Sequence, residues 1–137
     1  MDVLGRFGPL AGRILIALVF VVGGIEKLTG FQGTVAYIAG KGMPLPQVAA
    51  VAAMVVELGG SAMLVLGWKA RWAAAALFLF SGLAAAMFHN FWALPPDQAA
   101  NQMVHFLKNI SMMGGLLYVM TYGSGPLSAD GKASGRS

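Results

Sequence analysis

Polar and apolar positions alternate in long blocks along this chain. Apolar runs occupy about residues 9–28, 46–67, 72–92 and 99–122, each near the 20 residues an α-helix needs to cross the hydrocarbon core. The breaks between them are chemically distinct. Gly30 to Pro46 forms the first, closed by the stop-and-restart signal Met43-Pro44-Leu45-Pro46. Its apolar content, with Phe31, Tyr37 and Ile38 as interfacial side chains, predicts a segment lying on or dipping into the membrane surface. The turn Gly67-Trp68-Lys69-Ala70-Arg71 is short and basic, which makes its flanking helices antiparallel neighbours. Ala93 to Asn101 contains Pro95-Pro96-Asp97, a clear break. The pattern predicts an all-α fold: an integral membrane, antiparallel bundle of four transmembrane helices spanning residues 9–122. A polar lead over residues 1–8 precedes it, and a Gly-, Ser- and charge-rich tail over residues 123–137 reads as disordered. Arg13, in the first turns of helix one, is expected to snorkel outward. A cleaved signal peptide competes for the first run, because Arg6 and Arg13 precede apolar sequence. No small-x-small cleavage site follows, and the run ends in Glu26-Lys27 and a Gly-rich loop.

Composition agrees with this reading. The chain is 58% hydrophobic and only 10% charged, too apolar for an ordinary soluble globule. Its 19 glycines suit close approach between membrane helices. The absence of cysteine removes disulfides, thiolate metal sites and Cys-x-x-Cys redox pairs. A net charge of +4 is too dispersed for a nucleic-acid surface, so the lipid bilayer is the expected partner. The charges instead report topology. Arg6, Arg13, Lys69, Arg71, Lys132 and Arg136 fall on one side of a four-crossing bundle, whereas Lys41, Glu26, Lys27 and Asp97 fall on the other. The positive-inside rule then places both termini and the Lys69/Arg71 turn in the cytoplasm of a multi-pass protein.

One carboxylate stands out. Glu57 lies mid-way along the second run, where an acidic residue costs at least about 2.5 kcal/mol and should face protein and a partner. At about 1.5 Å per residue, Glu57 lies roughly 15 Å below the outer end of helix two, level with Lys108 and Asn109 on helix four. His105, Lys108 and Asn109 follow an i, i+3, i+4 spacing and share a face. The expectation is therefore a buried Glu57–Lys108 pair at the floor of an interhelical pocket. Lys27 and His89 stand nearer its outward-facing mouth, with Phe88, Phe91, Trp92 and Phe106 as an aromatic rim. Blander readings stand beside these. The pair can fix register without chemistry, His89 can be an interfacial histidine, and Ser81, Ala85, Gly59-Gly60 and Gly114-Gly115 can be packing surfaces. No metal site is expected, because the two histidines and the carboxylate lie on different helices without a ligand spacing.

Several motifs in fixed order resemble the DoxX family of small bacterial membrane proteins. These are Arg13-Ile14-Leu15, the run Phe20 to Leu28 ending Gly-Gly-Ile-Glu-Lys-Leu, Gly42-Met43-Pro44-Leu45-Pro46, Glu57-Leu58-Gly59-Gly60, Gly67-Trp68-Lys69-Ala70-Arg71, His89-Asn90-Phe91-Trp92 and Phe106-Leu107-Lys108-Asn109. The resemblance covers about residues 10–127. It implies four membrane helices in a bacterial inner membrane, polar positions at Lys27, Glu57, His89, Lys108 and Asn109, and a loose association with oxidoreductase chemistry. The family name comes from a subunit of an archaeal thiosulfate:quinone oxidoreductase. Two function classes follow. In the first, the chain is a subunit or accessory of a quinone-linked oxidoreductase system; the quinone sits in the apolar cleft, Lys108, His105 or Asn109 bonds a carbonyl, and Glu57 exchanges protons. In the second it is a non-enzymatic membrane assembly module acting on a partner subunit or a second copy. A small-molecule transporter is a third reading, which requires oligomerisation because four helices enclose little. No cofactor motif for flavin, haem or iron–sulfur is evident, so redox catalysis by the chain alone is not expected.

Overall fold

The computed structural model describes residues 2–133 and 135, and every regular element among them is helical. The chain runs α1 (Val3–Thr29), α2 (Phe31–Gly40), α3 (Pro46–Leu66), α4 (Ala70–Phe88), a single 3₁₀ turn at Phe91–Ala93, α5 (Pro96–Tyr122) and a short α6 (Ala129–Ala133). Three helices are long and apolar enough to cross a membrane: α1, α3, and α4 with its 3₁₀ extension. α5 matches α1 in length, but Asp97, Asn101, His105, Lys108 and Asn109 dilute its first half.

Helix ends follow local chemistry. α1 begins well before Pro9 because Asp2 caps it: its Oδ1 accepts from the Gly5 amide at 2.6 Å, and the expected polar lead is helical from Val3 onward. Met1 lies outside the described residues. Gly30 separates α1 from α2, which occupies most of the expected first loop. α3 starts on Pro46, where a missing amide costs nothing. It stops at Gly67, whose φ of 65° lets the Gly67 amide reach Leu64 O and the Trp68 amide reach Met63 O, the Schellman pattern.

Neighbouring helices run antiparallel, with α1 against α3 and α4 against α5 as the most extensive pairings. A core of Ala17, Phe20, Leu64, Ala70, Ala74, Leu77, Leu116 and Val119 joins them. Small residues set the spacing: a Cβ on Gly60 would stand 3.0 Å from Leu77, and one on Gly24 would stand 2.6 Å from Leu58. Leu15, Leu18, Val22, Val51 and Val55 face outward, as hydrocarbon solvent allows. Trp68, Trp72 and Tyr122 ring one end, and Tyr37 and Trp92 the other.

Two expectations are corrected at the α3–α4 end. Arg13 does not snorkel. It is 1% exposed, and its Nη1 donates to Leu64 O at 3.0 Å and Val65 O at 2.8 Å while Nη2 donates to Leu127 O at 2.9 Å. A cation thus meets two carbonyls in the last turn of α3, the end of a helix that favours positive charge. The third acceptor belongs to the expected disordered tail, which forms α6 as far as Ala133 and is buried at Ser124, Ser128 and Gly131. Asp130 accepts from the Lys69 and Ala70 amides at 2.8 and 2.9 Å, capping α4, and its own amide donates to Gly67 O at 2.8 Å. Ser124 and Ser128 bond to each other inside this closure at 2.9 Å. Polar composition misled here because these polar groups satisfy helix ends rather than water. Ser134, Arg136 and Ser137 lie outside the described residues, so that part of the tail, and the contribution of Arg136 to the charge count, stand as expectations.

Candidate functional site

Side-chain direction explains what Glu57 meets. In a helix each Cα–Cβ bond tilts toward the N-terminus. Lys27, near the end of α1, therefore reaches back down its helix, and Glu57, on antiparallel α3, reaches up. They meet: Lys27 Nζ lies 2.9 Å from Glu57 Oε2 and 3.2 Å from Oε1, with Gly23 O accepting at 3.4 Å. Oε2 makes the ionic contact without an aligned hydrogen bond, so it retains capacity to accept. The Glu57 side chain is 6% exposed and that of Lys27 27%. Gly23 makes the approach possible, since a Cβ there would stand 2.7 Å from Glu57 Oε1.

The expected Glu57–Lys108 pair is not formed. Lys108 is exposed, and Lys27 is the carboxylate's ionic partner. Depth was not what separated the two candidates. Successive residues on a helix project about 100° apart, so Lys108 and Asn109 cannot both look into the bundle. Asn109 looks in and Lys108 looks out.

Glu57 and Lys27 border a cavity of about 890 Å³ between α1, α2, α3, α4 and α5. Its wall is chiefly apolar, with Val19, Phe20, Ala53, Val56, Leu79, Phe80, Ala84 and Met112 among the lining, and α2 closes one side, where Tyr37 stacks on Phe88 at 5.5 Å. The polar lining converges near mid-depth: Glu57, Lys27, Asn109 and Ser81, with His89 and Glu26 toward the α2 end.

His89 caps the end of α4, and its Nδ1 lies 2.8 Å from Gln102 Oε1. An amide oxygen as partner calls for an N–H at Nδ1. The ring stacks on His105 at 5.2 Å. His105 thus supports His89 from behind and, like Lys108, does not line the cavity. Of the expected rim only Phe88 does so; Phe91, Trp92 and Phe106 pack edge-on against one another at 5.4 to 5.7 Å. Among the described residues, no group of three or more His, Asp or Glu is placed to hold a metal ion.

Sequence reasoning missed Tyr37, Gly23 and Ser81 as site residues. Ser81 is 1% exposed and its hydroxyl has no hydrogen-bond partner. Hydroxyls elsewhere, in Thr29, Ser111 and Thr121, turn back to the carbonyl four residues earlier. No sequence signal distinguishes Ser81 from a packing serine. For Gly23, the signal was adjacency to Lys27 one turn on, the residue whose partner it accommodates.

Comparison with known proteins follows the same lines. The DoxX family profile matches residues 8–90. Inner membrane protein YphA of Escherichia coli (strain K12) is 38% identical over 122 residues, covering 88% of this chain and 86% of that protein. Inner membrane protein YqjF of the same organism is 32% identical over 133 residues, 95% of each chain. A Surfeit locus protein 4 homolog of Schizosaccharomyces pombe (strain 972 / ATCC 24843) is 29% identical over 125 residues, 90% of this chain but 36% of that protein. No solved structure matches. With its apolar helices and these inner-membrane relatives, the chain is a multi-pass bacterial inner-membrane protein and belongs to the DoxX family.

Proposed function

We propose that the chain is a four-helix subunit or accessory of a quinone-linked oxidoreductase system, receiving a lipophilic ligand of the quinone class in the cavity beside Glu57. One observation carries this reading: a cavity of about 890 Å³ joins an apolar wall to a few convergent polar groups at membrane mid-depth. An aromatic ring with polar substituents fits that division. α5 supplies the fourth crossing, because 27 residues reach about 40 Å. Arg6, Lys69, Arg71 and Lys132 at the Arg13 end support a cytoplasmic placement of both termini, with the α2 end facing outward. The chain holds the ligand and a partner subunit carries the redox group. Lys27, Glu57, His89 and Asn109 are the pocket residues in this reading, with Ser81 added, while His105 and Lys108 stand outside it.

The second reading, a non-enzymatic assembly module, is favoured by the ion pair itself. It joins α1 to α3 with Gly23 behind it, and that fixes their register. Native mass spectrometry of the protein extracted from its own membrane separates the two. A retained quinone-class mass supports the ligand-holding reading, and a ligand-free chain carrying only protein partners supports the assembly module.

A further inference from the structure

Lys108 stands mid-way along α5, about 18 Å from its start at Pro96 and about 21 Å from its end at Tyr122. With α5 as the fourth crossing, the helix overshoots the hydrocarbon core by about 5 Å at each end, so the Lys108 backbone lies about 13 Å inside it. Its four-carbon stem is too short to carry the ammonium from there to water. The side chain is nevertheless exposed, with no ionic partner among the described residues. A cation so placed calls for a partner from outside the chain.

The face it occupies also carries an acid. Lys108 precedes Gly115 by seven residues, nearly two full turns, and so shares its side of α5. That side meets α1, since a Cβ on Gly115 would stand 2.9 Å from Ile16 Cδ1, and the two helices touch little elsewhere. On α1, Gly24 packs on Leu58 of α3, and Glu26, about 200° further round, lies on the flank turned from α3 toward α5. Glu26 is exposed too and has no ionic partner among the described residues. Heights also correspond. Measured from the Ile16–Gly115 contact toward the α2 end, Lys108 is about 10.5 Å along and Glu26 about 15 Å. The helices are antiparallel and side chains lean toward the N-terminus, so the lysine and the carboxylate lean toward one another's level. Lys27 and Glu57 meet in the same way.

From this we infer that the α1–α5 face docks a second copy of this chain, held by two symmetric ion pairs between Lys108 of one copy and Glu26 of the other. The inference rests on the four-crossing topology of the reading above and not on its ligand. A two-fold axis along the membrane normal brings one patch of both copies together, so a face with an acid and a base at corresponding heights is its own complement. Val104 and Ser111, one turn to either side of Lys108, are exposed as well and offer an apolar and a small contact. The second copy also covers the cavity on the side where Val19 and Glu26 of α1 and Asn109 and Met112 of α5 line it.

The test is a charge exchange, read by energy transfer between full chains carrying fluorescent C-terminal fusions in vesicles. Lys108→Glu alone, or Glu26→Lys alone, sets like charges face to face and should weaken self-association at least about tenfold. Mixed with each other, the two variants regain both pairs and should associate as the unaltered chain does, a rescue that damage to the fold of either cannot produce. Crosslinking adds a measurement without charge reversal, because the chain has no cysteine of its own. Glu26→Cys in one tagged copy and Lys108→Cys in another, treated with a short bis-maleimide in native membranes, should yield a dimer carrying both tags; Val55→Cys, on the outward face of α3, should yield none with Lys108→Cys. A mixture that associates no better than either variant alone, or no doubly tagged dimer, overturns the inference. So does a Lys108→Cys chain crosslinked only to a different protein. Reporters beside Pro96 and at the C-terminus that fall on one side of the membrane overturn the crossing itself, whereas opposite sides without association overturn the docking alone.

Discussion

Removing Lys27 should harm this protein more than removing Glu57, although the two form one ion pair. Lys27→Met leaves a carboxylate that is 6% exposed, at mid-depth, with no cation against it. Breaking a buried pair in this way costs about 3–5 kcal/mol while the survivor stays charged. Glu57→Gln leaves an ammonium on a side chain 27% exposed, toward the α2 end of the bundle, where it can turn toward water. That change should cost less, on the order of 1–2 kcal/mol, because partial exposure discounts the penalty. The double variant carries neither charge and should lie near the unaltered protein, so the coupling energy should be about 4–7 kcal/mol, the two single costs together. A double-mutant cycle on reversible unfolding in detergent measures it directly. Lys108→Met provides the control. Being exposed and outside the pair, it should add to Glu57→Gln within about 0.5 kcal/mol. Strong coupling of Glu57 to Lys108, with none to Lys27, would refute the geometry and restore the pairing expected from depth alone.

Other outcomes follow from particular contacts. Arg13→Leu removes the guanidinium bonds to the Leu64, Val65 and Leu127 carbonyls, of which Leu64 O keeps the Gly67 amide, and should cost at least about 3 kcal/mol in the same unfolding assay. Gly23→Ala puts a methyl 2.7 Å from Glu57 Oε1; the carboxylate must shift, and a loss of about 1–3 kcal/mol is expected, falling when Glu57 is replaced by Ala in the same chain. A reporter fused to the C-terminus should behave as cytoplasmic and one inserted beside Pro96 as external, and the reverse pattern would invert the cavity's orientation.

Much of the fold was legible because hydrocarbon imposes a coarse rule. Runs of about 20 apolar residues, ended by Pro44-Leu45-Pro46, Gly67 and Pro95-Pro96, read directly as helices, and α3 falls where the pattern placed it. α2 was legible only as an apolar segment, since ten residues are too few for a periodic signal. Polar groups were harder, because depth is linear along the sequence and azimuth is not. Glu57, Lys27 and Lys108 were all recognised, but choosing between the lysines needed the rotation of α5 and the backward tilt of the Lys27 side chain. The Arg13 closure was hidden for a different reason. Its acceptors are backbone carbonyls, which no side-chain pattern announces, and its third acceptor, Leu127 O, comes from a segment whose composition resembles disorder.

Ala53 offers the most direct access to the central claim, that the space beside the Lys27–Glu57 pair is a ligand site. It lines the cavity one turn from Glu57, and tryptophan in its place would fill much of that space without removing either charge. The measurement is the binding isotherm of an alkylated quinone to the unaltered chain and to Ala53→Trp, with helix content checked by circular dichroism. Saturable binding to the first and its loss in a still-helical variant is the expected result; equal binding to both would place the ligand elsewhere and contradict the account.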